Sequence, residues 1–309
     1  MKKLIYQLKR PYHFFKTGLL KGLPAQLKYK FPAKKIKVIT VTGTDGKTTT
    51  STLIYHLLKT AGKKVVLIST VAAYIEDEQL ETGLHVTAPT PDKLQKFIKR
   101  MVDKDCEYLV LELTSHGVYQ FRSWGIKPEI AGLTNITKEH LDYHLNYDLY
   151  LEAKAKLLRK AKTVFLNRDD HSYSKVRKKL KPAKQEIRTY SQEDKFSKKI
   201  NQAINQRFSA AYNQMNARLA VKIAQQVETK EDKIAQGLES FPGVPGRMQQ
   251  IETDQDFSVI VDFAHTPNGL LEALKALRQN MDQRPKKDQG RLIAVYGCAG
   301  LRDQSKRPV

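Results

Sequence analysis

The 309-residue sequence is short of cysteine, of tryptophan and of acidic side chains. Two cysteines, Cys106 and Cys298, make neither a disulfide framework nor a thiolate metal site, which suits a reducing cytoplasm. No apolar run is long enough to span a bilayer, and the first residues lack the apolar core and small-residue site of a secretory signal. There is no Ser/His/Asp or Cys/His arrangement to argue for a side-chain nucleophile. The 32 Asp and Glu are outnumbered by 54 Lys and Arg, giving a net charge of +22. That excess favours anionic partners in general. The lysines are scattered, as in KKLKPAK and RPKKDQGR, without the interleaved aromatics of a nucleic-acid platform, so the charge reads as solvated surface.

What the chain does have is a phosphate loop. IKVITVT (36–42) is rich in β-branched residues and reads as a buried strand, while the residues from Thr48 to Leu58 carry helical spacing at Leu53, Leu57 and Leu58. Between them stands GTDGKT. The loop is shorter than the GxxxxGK[ST] pattern: position 41, five before Gly46, is valine, and the nearest glycine is Gly43. In a strand–loop–helix setting the N–H groups of Gly43 to Thr48 can surround an anion, Lys47 adds a point charge, and the Thr48 hydroxyl can reach Mg2+.

Strand and helix patterns then alternate. KVVLIST (64–70), EYLVLEL (107–113), EIAGLTN (129–135) and KTVFLN (162–167) read as strands, with helical patterns over 92–104 and 147–160. The order is α/β with a central, mostly parallel sheet flanked by helices, so ligands should gather at the carboxyl ends of the strands. Glu112 sits near one such end in an otherwise apolar strand, where a carboxylate must be paired or bind a cation. His140 and Asp142 fall in the loop after the next. Thr48, Glu112 and His140 would make an oxygen-and-imidazole set suited to Mg2+ or Mn2+. Residues 1–35 are basic and amphipathic, interrupted by Pro11; they read either as helices packed on the next domain or as a peripheral membrane contact through residues 1–30.

The ordered series TGTDGKTT, LELTSHG, TNITKEHLDYH, YLEAK, NRDD, YNQMNARLA, PGRMQ, VDFAHTPNGL and GCAGLRDQSKRP resembles the Mur ligase family of peptidoglycan synthesis. The resemblance runs from Ile36 to Pro308. It is nearest to the members that add a diamino acid to UDP-N-acetylmuramoyl-L-alanyl-D-glutamate. What it implies is an ATP-dependent peptide ligase in which ATP phosphorylates the acceptor carboxylate and an amine attacks the acyl phosphate. The family's ATP loop has this short spacing, with Asn more usual where this chain has Asp45.

Carried over position by position, the resemblance implies ATP contacts from Gly43, Thr44, Asp45, Gly46, Lys47, Thr48 and Thr49, with Asn216 on the adenine side and Arg247 and Asp262 on phosphate and ribose. It implies one Mg2+ on Thr48 and Glu112 and a second on His140, helped by Lys154 as a carbamate. Thr87, Ser115 and Arg122 match positions that hold the nucleotide-sugar peptide. Nothing in the local pattern EAKAKLLRKAK marks Lys154 out; taken alone it reads as part of a solvated helix face. The implied partners are small molecules, a nucleotide-sugar peptide and an amino acid, and the implied state is a cytoplasmic monomer.

The expected organisation is a basic segment at 1–35, a central ATP-binding domain at 36–242, and part of a Rossmann-like C-terminal domain at 243–309. After FPGVPGR, FSVIVDF reads as a strand, TPNGLLEALKALRQ as a helix and RLIAVYG as a second strand, too little to cover both faces of a parallel sheet. The family's UDP-gripping domain is not in the sequence, so a poly-amino-acid or folate-type acceptor and an inactive nucleotide-binding remnant stay open beside the peptidoglycan reading.

Overall fold

The computed structural model describes residues 2–70, 73–75, 78–80, 88–283, 285–286 and 289–297. Helix α1 (Lys2–His13), a π-helical stretch (Phe14–Gly22) and α2 (Leu23–Lys28) form an N-terminal arm. The central domain begins with β1 (Lys37–Thr42), α3 (Lys47–Thr60), β2 (Val65–Ile68), β3 (Ala73–Ile75), β4 (Glu78–Leu80) and α4 (Pro91–Asp103). It continues through β5 (Tyr108–Glu112), α5 (Ser115–Tyr119), β6 (Ile130–Leu133), α6 (Leu141–His144), α7 (Tyr147–Leu158) and β7 (Thr163–Asn167). Then come α8 (Tyr173–Lys179), β8 (Glu186–Tyr190), α9 (Lys198–Arg207), α10 (Ala211–Gln226) and α11 (Glu231–Glu239). A last group holds β9 (Gln249–Ile251), β10 (Val259–Val261) and α12 (Pro267–Asp282).

The strands join in the order β4-β3-β2-β5-β1-β6-β7-β8. From β2 to β8 every pairing is parallel, and β3 and β4 add an antiparallel edge. Central strands are apolar on both faces because helices cover both. Alternation sorts their side chains: Ile39, Val41, Val110 and Phe165 pack with α3, α10 and α11 on one face. Val38, Leu109 and Leu111 pack with α4, and Ala131, Leu133 and Val164 with α7, on the other. All five expected strands of this sheet are present.

Two sequence expectations change. Pro11 does not break the arm, since α1 runs through it to His13 and on into the π-helical stretch. The arm packs on the central domain so closely that a Cβ at Gly18 would lie 2.6 Å from the Trp124 ring. RLIAVYG, in turn, is not a strand. Residues 291–297 carry no regular structure, and Ile293, Val295 and Tyr296 are exposed, with no neighbouring strand among the described residues to satisfy their backbone. The strand in FSVIVDF does form, as β10, paired antiparallel with β9.

Candidate active site

The carboxyl ends of β1, β5, β6 and β7 open into one cleft of about 1050 Å³. The β1–α3 loop forms its floor. Gly46 has φ +79°, and a Cβ there would come within 2.2 Å of Asn216 Oδ1, so glycine is required both by the backbone and by the approach of α10. The loop is stitched to the end of β6: Thr44 N donates to Asn135 O at 2.9 Å, Asp45 N to Asn135 Oδ1 at 3.0 Å, and Thr134 Oγ1 to Asp45 O at 2.6 Å. Two of the amides expected to face an anion are therefore engaged by Asn135. The N–H groups of the first turn of α3 are those suited to phosphate.

Lys47 Nζ donates to Thr44 O at 2.6 Å, folded back over the loop. Burial lowers its pKa, and Glu112 and Asp45 act in the opposite sense. Glu112 is 1% exposed and accepts from Thr70 N at 3.1 Å and Thr70 Oγ1 at 2.9 Å. Thr48 Oγ1 is buried and accepts from Arg247 Nη2 at 3.2 Å. The Arg247 guanidinium lies 4.5 Å from the Phe263 ring centroid. Asp262 holds the same segment together, accepting from Met248 N and Ala264 N at 2.7 Å each.

Lys154 lies directly beneath the loop. Its side chain is 1% exposed; Nζ donates to Gly43 O at 2.5 Å and stands 4.6 Å from the Tyr150 ring centroid. Burial, reinforced by the charge on Lys47, holds it well below the usual lysine range. Tyr150, four residues earlier on the same helix face, shares a 3.0 Å hydrogen bond with Thr44 Oγ1.

His140 has φ +58° and precedes α6; its ring meets His116 edge-on at 4.6 Å between centroids. Burial, with His116, Lys154, Lys47 and His144 nearby, pushes its pKa down to about 2, so the imidazole is neutral and can act as an acceptor or ligand. His144 is fully buried: Nε2 is 3.0 Å from Ser115 Oγ and Nδ1 is 3.2 Å from the Tyr6 hydroxyl. Its pKa falls to about 3 for the same reason, burial first and then His116 and Lys154. Arg122 donates to Gln120 Oε1 and Ala88 O, both at 3.0 Å.

Most of the sequence-derived residues thus meet in one place. Thr44 to Thr49, Glu112, His140, Arg122, Asn216, Arg247 and Asp262 line the cleft. Lys154 touches its floor at Gly43, and Ser115 is buried behind the wall, against His144. Asn216 lies against Gly46 and accepts from Thr50 Oγ1 at 3.3 Å. Thr87 lies outside the described residues. Sequence reasoning missed Thr70, Tyr150, His144 and Thr266, whose Oγ1 donates to Asp45 Oδ1 at 3.1 Å. Tyr150 had a signal, its i,i+4 spacing from Lys154, and His144 closes the HLDYH motif; Thr70 and Thr266 had none beyond hydroxyls at a strand end and a helix start.

Divalent cation fits this donor set. Glu112 and Thr48 offer hard oxygens, and Asp45 Oδ2 is buried without a hydrogen-bond partner. Among the described residues no three His, Cys, Asp or Glu side chains are placed to hold a metal ion together, so phosphate oxygens or water would complete any coordination.

Residues 41–229 match the Mur ligase middle domain. The chain belongs to the Mur ligase family. Residues 246–309 match the Mur ligase glutamate ligase domain. This Mur ligase is 34% identical over 302 residues to UDP-N-acetylmuramoyl-L-alanyl-D-glutamate–2,6-diaminopimelate ligase 1 of Clostridium acetobutylicum, covering 91% of this chain and 60% of the relative. It is 33% identical over 306 residues to the 2,6-diaminopimelate ligase of Bacteroides fragilis, covering 93% and 61%. A solved 2,6-diaminopimelate ligase superposes with TM-score 0.66 at 27% identity, over 92% of this chain and 62% of that one. An L. casei FPGS mutant shares the fold at TM-score 0.69 and 16% identity, over 90% and 81%. The chain spans about 60% of the length of the curated relatives it matches.

Proposed function

We propose that this Mur ligase is an ATP-dependent amide ligase of peptidoglycan-precursor synthesis, joining a diamino acid to UDP-N-acetylmuramoyl-L-alanyl-D-glutamate. The observation that carries the reading is the union, in one cleft, of a phosphate-binding floor at Lys47 and Thr48 with a second polar wall at Thr114, His116 and Arg122, backed by the buried pair Ser115 and His144. The relatives' names supply the acceptor and 2,6-diaminopimelate as the amine.

An acceptor carboxylate oxygen attacks the terminal phosphorus of ATP and ADP leaves; the amine nitrogen then attacks the acyl carbon and phosphate leaves. Both reactants of the first step are anions. Lys47 and the first-turn amides of α3 hold the terminal phosphates, with Arg247 and Asp262 on the phosphate and ribose side and Asn216 on the adenine side. When bound, Mg2+ on Thr48 and Glu112, and a second ion on His140 and carbamylated Lys154, offsets the repulsion between the anions. Arg122 presents a planar fork to a carboxylate or phosphate of the acceptor. His144, kept neutral, fixes the Ser115 hydroxyl. Thr87 belongs to the same acceptor set by the family resemblance.

Domains at 1–35, 36–242 and 243–309, a monomeric state, a cytoplasmic location and peripheral membrane contact through residues 1–30 belong to this proposal. No helix among the described residues is long and apolar enough to cross a membrane. The test is phosphate release from ATP with acceptor and amine added separately and together. Release that needs the acceptor supports the ligase, whereas equal release without it would reject the reading.

A further inference from the structure

One surface of the arm is unexplained by the cleft. Leu8, Tyr12, Phe15, Leu20, Leu23 and Leu27 are 61, 54, 58, 59, 38 and 59% exposed. They recur at intervals of four, three, five, three and four residues. The interval of five falls inside the π-helical stretch, where a turn takes more residues than in an α-helix, so the six side chains stay on one arc. Gly18, Gly22 and Ala25 are buried on the opposite side, and the two glycines are pressed against Trp124. The apolar arc is therefore left outward by the packing of the arm.

Lys9, Lys16, Lys21 and Lys28 each follow a member of the arc by one residue, or about 100° of turn, and all four are exposed. Residues 1–30 hold eight Lys or Arg and no Asp or Glu. A second copy of this face would set lysine rows against one another in a chain of net charge +22, so self-association is opposed by charge. An anionic surface with an apolar interior is complementary to both features at once. We infer that the arm is a docking face for anionic lipid, lying in the bilayer interface with the six apolar side chains inserted and the lysines at headgroup level.

This deepens the membrane contact proposed above and is independent of the ligase chemistry. It also links the membrane to the cleft. The arm that carries the arc reaches the acceptor wall through Tyr6, whose hydroxyl meets His144 and whose carbonyl accepts from the Tyr119 hydroxyl at 2.5 Å.

The test is co-sedimentation of the full chain with vesicles of phosphatidylglycerol and phosphatidylcholine, against phosphatidylcholine alone. Binding at least roughly tenfold tighter to the anionic vesicles, and weakening with salt, is expected. Phe15→Ser with Leu20→Ser should lower it by about tenfold or more, and each Lys→Gln at 9, 16, 21 or 28 by about fivefold. All of these positions are exposed, and the salt titration of the unaltered chain needs no variant. Equal binding to both lipids, no binding to anionic vesicles at low salt, or a vesicle-independent dimer that the serine substitutions dissolve would overturn the inference. Phosphate release measured on the same samples reports separately on the ligase.

Discussion

Lys154 Nζ lies 2.5 Å from the carbonyl oxygen of Gly43. A lysine in the middle of α7 is thereby fixed under the phosphate loop, buried and close to the second cation Lys47. Desolvation favours its neutral amine, the form that can add carbon dioxide. Carbamylation would replace a buried neutral amine by a carboxylate near the neutral His140 imidazole, supplying a hard oxygen ligand that the amine cannot.

With carbon-13 bicarbonate, the protein should show a carbamate carbon by NMR that acid removes and that Lys154→Ala lacks. The variant should lose about 10–100-fold in Mg2+ affinity or rate, partly restored by formate or acetate. A carbamate signal that persists in Lys154→Ala would place the modification elsewhere.

Lys47→Ala should reduce acceptor-dependent phosphate release by about 10²–10³-fold, the scale on which removal of one preorganised charge donor acts. The fold should survive, since the hydrogen bond Lys47 makes among the described residues is to the nearby loop carbonyl of Thr44. Far-UV circular dichroism and the rate, measured together, check both parts.

Gly46→Ala meets two penalties, a left-handed φ of +79° and a Cβ 2.2 Å from Asn216 Oδ1. A loss of about 1–3 kcal/mol in unfolding free energy is expected, with weakened ATP binding by calorimetry. Asn216→Ala removes the clash and should recover part of the stability in the double variant.

His144 gives stability a pH dependence. Its folded pKa of about 3 lies below the ordinary 6.5, so between those values the unfolded chain holds a proton that the folded chain does not. The contribution is complete above pH 6.5 and is lost as pH falls toward 3, at about 1.4 kcal/mol per pH unit for this group. Denaturant unfolding from pH 7 to 4 should show the decline, and His144→Gln should reduce its slope by one proton.

The parts of the fold legible in the sequence were those with a strong local pattern. KVITVT and YLVLE are runs rich in β-branched and apolar residues because both sheet faces are covered, and the glycine loop between β1 and α3 marks itself. Strand β8, EIRTY, was not legible: it is an edge strand with charged, partly exposed side chains and no apolar run. RLIAVYG had strand composition but finds no neighbour to pair with among the described residues. Glu112 could be singled out because a carboxylate in an apolar strand is costly. Lys154 could not, since its burial comes from long-range packing of α7 against the β1 loop, which a lysine-rich helix gives no sign of. The role of His144 likewise depends on Ser115 and Tyr6, which are brought to it only by folding.

The most direct measurement is the fate of an oxygen-18 label in the acceptor carboxylate of UDP-N-acetylmuramoyl-L-alanyl-D-glutamate during turnover with ATP, Mg2+ and 2,6-diaminopimelate. An acyl-phosphate ligase transfers one labelled oxygen to each phosphate released, and the tripeptide product appears in equal amount. Unlabelled phosphate, released at the same rate whether or not the acceptor is present, would contradict it.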